Sequence, residues 1–90
     1  MIRDEFTHIL GEELRFLAIK TRARLRLTQR EMSEMLQMSE SSYSDIETGK
    51  YKCGTLTAVL LLAIQEEPTR FLNTLKKKFQ TWYNGERIAV

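Results

Sequence analysis

Hydrophobic positions recur along most of this chain at three- and four-residue intervals, the spacing of one face of an α-helix. The first series, Leu10, Leu14, Leu17, Ala18, Thr21 and Leu25, predicts a helix over residues 7–26. Ile2 and Phe6 are placed to extend it backwards or to dock separately, and Gly11 weakens it. Met32, Met35 and Leu36 mark a short second helix, and Tyr43 and Ile46 the inner face of a third. Leu56, Val59, Leu60 and Ala63 form a stripe on a fourth. Leu61, Leu62 and Ile64 fill its other directions, so that helix needs cover on several sides. Phe71, Leu72, Leu75, Phe79 and Trp82 make the stripe of a fifth helix over residues 68–84, which is the obvious cover.

The punctuation between these series agrees with the helical reading. Thr28-Gln29-Arg30-Glu31 is a capping box, in which the Thr hydroxyl accepts from the Glu31 N–H while the Glu side chain reaches back. Gln37-Met38 reads as a tight turn and Ser39 as the next N-cap. Gly49 stops the third helix. Residues 50–54 form a loop and Thr55 caps the fourth helix, while Pro68 suits a first helical turn and Gly85 an end, with a fraying tail over 86–90. The expected fold is all-α: one compact five-helix domain over residues 1–90, with its core in 14–64 and an amphipathic C-terminal helix.

Composition sharpens this picture in two places. Only one Pro and four Gly in ninety residues, with Leu, Met, Glu, Lys and Gln favoured over Val, disfavour both disorder and strand. The single Cys53 excludes an internal disulfide and a Cys-based zinc site, and is expected as a buried or half-buried thiol. No leader pattern opens the sequence, and its longest apolar run, 58–64, is far short of the roughly 20 residues of a membrane helix. A cytoplasmic protein is expected.

Two short helices joined by a tight turn, each capped by Ser or Thr, constitute a helix-turn-helix. The element here is LTQREMSEMLQMSESSYSDIETGK, residues 27–50. Its pattern closely resembles the Cro and phage-repressor type of helix-turn-helix, the XRE family, and the resemblance covers about residues 14–64. It implies a lambda-repressor-like fold and a DNA-binding regulator that reads the major groove with residues 39–47. Met32, Leu36, Met38 and Ile46 match core positions, and Ser33 the small residue where the two helices approach. Gln29 matches a residue that bonds a DNA phosphate, and Ser39, Lys50 and Lys52 stand where further phosphate contacts occur. Glu40, Ser41, Ser44 and Asp45 match positions facing bases. Glu47 matches a glutamate that pairs with an arginine on the first helix, which places that arginine at Arg22. The family usually has Gly where Gln37 stands, because the turn needs positive φ.

The charge distribution pulls against this reading. Net charge is +2, but residues 28–49 carry one basic and five acidic side chains, whereas the flanking segments are basic. A carboxylate in the groove can accept from cytosine N4–H₂, yet uncompensated carboxylates repel phosphates. A protein-interaction module, or an antitoxin, that uses the acidic serine-rich face for a protein partner is therefore the alternative. Arg24, Arg26 and Arg30 lie near enough to help attract DNA, whereas Arg15, Lys20, Lys76, Lys77 and Lys78 read as solubilising.

Nothing else in the sequence carries chemistry. His8 is the sole histidine, and no phosphate loop, metal-ligand pair or catalytic carboxylate pair appears at meaningful spacing, so neither enzyme activity, metal nor cofactor is expected. Phe71, Leu75, Phe79 and Trp82 either pack within the chain or form the interface of a homodimer, the form in which such regulators bind paired half-sites.

Overall fold

Each predicted hydrophobic series forms a helix. The computed structural model describes the backbone of residues 2–89 and the side chains of residues 5–85. The elements are α1 (Ile2–Leu25), α2 (Gln29–Met35), α3 (Glu40–Thr48), α4 (Thr55–Ala63) and α5 (Pro68–Ala89), with no strand among the described residues. α1 is the post on which the others lean: α3, α4 and α5 all pack against it, and α2 packs mainly on α3. The buried core joins Leu14 and Ala18 of α1, Met32 and Leu36 of α2, Tyr43 and Ile46 of α3 and Leu61 of α4. Met35, on the rim of that group, stays exposed, and Met38 packs half-buried against it.

α1 begins five residues earlier than the Leu10 series indicates, taking in Ile2 and Phe6; the Ile2 side chain lies outside the described residues. Gly11 does not interrupt it. The cap of α4 is Gly54, with no side-chain hydrogen bond, and Thr55 is instead the first helical residue. α5 passes through Gly85 and runs to Ala89 rather than ending at residue 84, while Val90 lies outside the described residues. A glycine in a helix costs only about 1 kcal/mol relative to alanine, too little to end a helix by itself.

The larger departure concerns α4. Of the stripe expected to be covered, Leu56 is 83% exposed and Val59 58%, Leu60 alone packs half-buried against the core, and Leu61, across the helix from Leu56 and Val59, is fully buried. Gln65, just beyond α4, braces this orientation by donating from Nε2 to Thr21 Oγ1 at 2.8 Å and to the Leu61 carbonyl at 2.9 Å. α5 then returns along α1 instead of covering α4. Phe6 takes Phe79 and Trp82 at ring separations of 5.1 and 5.2 Å, and Lys78 Nζ meets Glu13 at 2.8 Å. The aromatic cluster gives α5 a better apolar contact on α1 than the short α4 offers.

Among the described residues three adopt left-handed φ: Arg26 at 57°, Gln37 at 60° and Gly49 at 82°. Only the last is glycine. Gln37 closes the turn between α2 and α3, where the Met38 N–H donates to the Ser33 carbonyl at 2.9 Å. Replacing Gln37 by Gly relieves the Cβ strain and is expected to raise stability by up to about 1 kcal/mol. At Gly11 a Cβ would meet only the Lys52 side-chain stem at 3.7 Å, an ordinary contact. Gly11→Ala is therefore expected to add about 0.5–1 kcal/mol, and urea unfolding of both variants checks the pair.

Candidate nucleic-acid interface

The local sequence sets α2 and α3 at a fixed crossing. Thr28 caps α2 through the complete capping box with Glu31, whose carboxyl the Thr28 N–H holds below its ordinary pKa. Ser33, only 2% exposed, lets α3 approach and turns its own hydroxyl back to the Arg30 carbonyl at 2.6 Å. Ser39 caps α3: its Oγ accepts from the Ser42 N–H at 3.2 Å and donates to Ser42 Oγ at 2.8 Å.

At the far end of α3, Glu47 turns inward. Its Oε2 accepts from Arg22 Nε at 2.6 Å and its Oε1 from Arg22 Nη2 at 3.1 Å, a two-pronged pairing. Gln29 Nε2 adds a bond to Oε1 at 3.0 Å, and the Tyr43 hydroxyl donates to Oε2 from one turn earlier on the same helix. Arg22 Nη1 also reaches the Leu27 carbonyl at 3.1 Å, so one guanidinium ties α1, the linker to α2 and α3 together. Arg15, two turns before Arg22 on α1, donates from Nε to the Glu47 carbonyl at 2.7 Å. The inner end of α3 is thus held by its side chain and by its backbone at once.

The electrostatics follow from this enclosure. Burial pushes the Glu47 carboxyl upward, but the hydrogen bonds from Arg22, Tyr43 and Gln29 outweigh it and hold the group below its ordinary value. The same bond to Glu47 raises Arg22, against the effect of burial. Burial, and then the bond to the carboxylate, push the Tyr43 hydroxyl far up, so it stays protonated.

With Tyr43, Ile46 and Glu47 buried, the other side of α3 is left free. Glu40 and Ser41 are exposed, and Ser44 and Asp45 half-buried beside them. Glu40 and Asp45 have no ion-pair partner among the described residues, whereas Glu47 is fully paired. Lys50 and Lys52 follow in the exposed loop; Lys50 lies over the Tyr51 ring at 5.8 Å and, among the described residues, neither meets a carboxylate. Cys53, next in the loop, is a half-buried free thiol whose pKa burial raises. Arg24 is engaged with Glu66 at 3.3 Å, and Arg30 lies 4.0 Å from Glu34.

The remaining predicted residues lie elsewhere. Phe79 and Trp82 pack on Phe6, Leu75 is half-buried, and Phe71 lines a groove of about 340 Å³ between α1 and α5 with Phe16 and Leu17. No group of His, Cys, Asp and Glu among the described residues is placed to hold a metal ion. No described helix is long and apolar enough to cross a membrane.

Sequence reasoning missed two members of the anchor. Arg15 read as a solubilising charge, although its seven-residue spacing from Arg22 sets both on one side of α1. Tyr43 read as plain core, although four residues separate it from Glu47, which puts its hydroxyl beside that carboxylate.

A capped helix pair with an inward carboxylate anchor and a free outer face on its second helix defines a helix-turn-helix protein. Residues 19–64 match the family model described as helix-turn-helix, HTH_3, of the XRE type, and the chain belongs to that family of DNA-binding regulators. The match ends before α5. No curated protein and no solved structure matched the chain.

The anchor makes two predictions. Arg22→Ala strands a largely buried carboxylate and is expected to destabilise the fold by about 3–5 kcal/mol, and Tyr43→Phe by about 1.5–3 kcal/mol, both read by urea unfolding. Because the Glu47 carboxyl is depressed in the folded protein, its contribution is complete above the unfolded carboxylate value of about 4.3 and is lost as pH falls through the lower folded value. Glu47→Gln should therefore be less stable at pH 7 and show a shallower loss of stability in acid than the parent.

Proposed function

We propose that this protein is a sequence-specific, repressor-type regulator that binds double-stranded DNA as a homodimer, with α3 in the major groove. The observation that carries this reading is the two-sided character of α3: one side is fastened by Glu47 and Tyr43, while the other turns Glu40 and Ser41 fully outward with Ser44 and Asp45 half-exposed beside them. In this reading Glu40, Ser41, Ser44 and Asp45 face the bases. Serine hydroxyls donate or accept, and the carboxylates accept from cytosine N4–H₂. Lys50, Lys52, Ser39 and Gln29 hold the backbone. The Gln29 amide has two N–H donors, of which Glu47 takes one, leaving the second for a phosphate oxygen. Lys50 and Lys52 meet no carboxylate among the described residues and supply the attraction that α3 itself lacks.

A second reading has a specific motive. Glu40 and Asp45 leave the outer face with unpaired negative charge, which suits a basic protein partner, as in an antitoxin that keeps this fold. A salt titration on random-sequence duplex separates the two. With two cationic contacts per chain, log affinity is expected to fall against log salt with a slope of about −2 per protomer. Absence of binding at low salt would favour the protein partner.

The division of labour within the face is testable once preferred duplexes have been selected from a random pool. Lys50→Ala should weaken binding on every sequence and lower the slope by about 1 per protomer. Ser41→Ala or Ser44→Ala should change which sequence is preferred. Equal loss on all sequences from both kinds of change contradicts the assignment.

A further inference from the structure

The groove between α1 and α5 has the dimensions of a small-molecule site. It encloses about 340 Å³, within the range of about 300–1,000 Å³ that ligand pockets occupy. Phe16 and Leu17 come from α1 and Phe71 from α5, so its apolar walls lie outside the helix-turn-helix of residues 19–64. Phe16 is already held in place: the Arg15 guanidinium lies 5.2 Å from its ring centre, and Arg15 Nε is itself fastened to the Glu47 carbonyl at 2.7 Å. A wall fixed before binding loses little freedom when a ligand arrives.

The polar groups around these walls determine what the ligand carries. Two carboxylates line the groove, and both are paired: Glu13 with Lys78 at 2.8 Å and Glu67 with Arg70 at 3.1 Å. Lys20 also lines it and meets no carboxylate among the described residues. Gln65 commits its amide nitrogen to Thr21 Oγ1 and the Leu61 carbonyl, which leaves its Oε1 without a donor among the described residues. An unpaired cation, an open acceptor and two aromatic rings together suit a flat aromatic anion that bears an N–H or O–H. A cationic ligand would meet Lys20 and find both carboxylates taken.

We propose that this groove binds a small aromatic carboxylate. The carboxylate pairs with the Lys20 ammonium, the ring lies against Phe16 and Phe71, and a ring N–H or O–H donates to Gln65 Oε1. The site is separate from the outer face of α3 and does not depend on the DNA-binding reading. Indole-3-acetate carries all three features and serves as the probe. Tryptophol, in which a hydroxymethyl group replaces the carboxylate, is the neutral control.

NMR of the isotope-labelled protein, titrated with each compound in the absence of DNA, tests the site. Indole-3-acetate should shift the signals of Phe16, Lys20, Gln65 and Phe71, saturating with a Kd of about 1 mM. Tryptophol should bind about three- to fivefold more weakly, the difference expected of one exposed ion pair. Lys20→Gln should abolish that difference, with unchanged thermal unfolding because Lys20 is exposed. Phe16→Ala should weaken both compounds about fivefold. No shift of the groove residues at about 10 mM indole-3-acetate overturns the proposal, as does a Lys20→Gln variant that still prefers it to tryptophol. Shifts centred on Lys76 and Lys77 instead would show attraction to surface charge alone and overturn it equally. Because no DNA is present, failure here is distinct from failure to bind duplex in the salt titration.

Discussion

The carboxylate of Glu47 is the point on which this structure turns. It accepts from Arg22 on α1, from Gln29 on α2 and from Tyr43 on its own helix, so three elements meet at two oxygen atoms. A buried charge pair adds little net stability, because desolvation offsets much of the attraction. Its value lies in orientation: only one rotation of α3 about its axis satisfies all these donors. With that rotation fixed, the side bearing Glu40, Ser41, Ser44 and Asp45 is turned away from the core.

This resolves the apparent conflict of an acidic helix in a DNA-binding family. Of the three carboxylates between residues 39 and 49, Glu47 is neutralised inside. Glu40 sits in the first turn of α3, where the helix dipole favours a negative charge. Asp45 alone is a half-buried negative group without such compensation. The positive charge has been moved off the helix into the loop that follows, at Lys50 and Lys52. In the proposed mode of binding, long-range attraction and base contact then fall to separate segments.

How much of this was legible in the sequence depends on what decides each feature. The capping box at Thr28, the cap at Ser39 and the stop at Gly49 are local devices, and their residue types reveal them. The left-handed Gln37 was legible only through resemblance, since glutamine itself gives no sign of positive φ. The left-handed Arg26 gave no sign at all. α4 was misread because Leu, Val and Ala point in nearly every direction on it, so periodicity could not choose a face. The face that is buried is the one carrying Leu61, which joins the core with Ala18 and Tyr43, and a hydrogen bond from Gln65 to Thr21, forty-four residues away, braces it there. The path of α5 was likewise decided by Phe6, at the far end of the chain. Arg15 was invisible as an anchor because its partner is a backbone carbonyl, which every residue carries.

The central claim is that the anchored α3 presents its free side, with the loop after it, to duplex DNA. Backbone amide shifts of the isotope-labelled protein, followed by NMR as duplex is added, test it most directly. The account predicts that the largest changes fall on Ser41, Ser44, Lys50 and Lys52, with the aromatic cluster of α5 unaffected. Changes confined to α4 or α5, with residues 39–52 unmoved at saturating duplex, would contradict it.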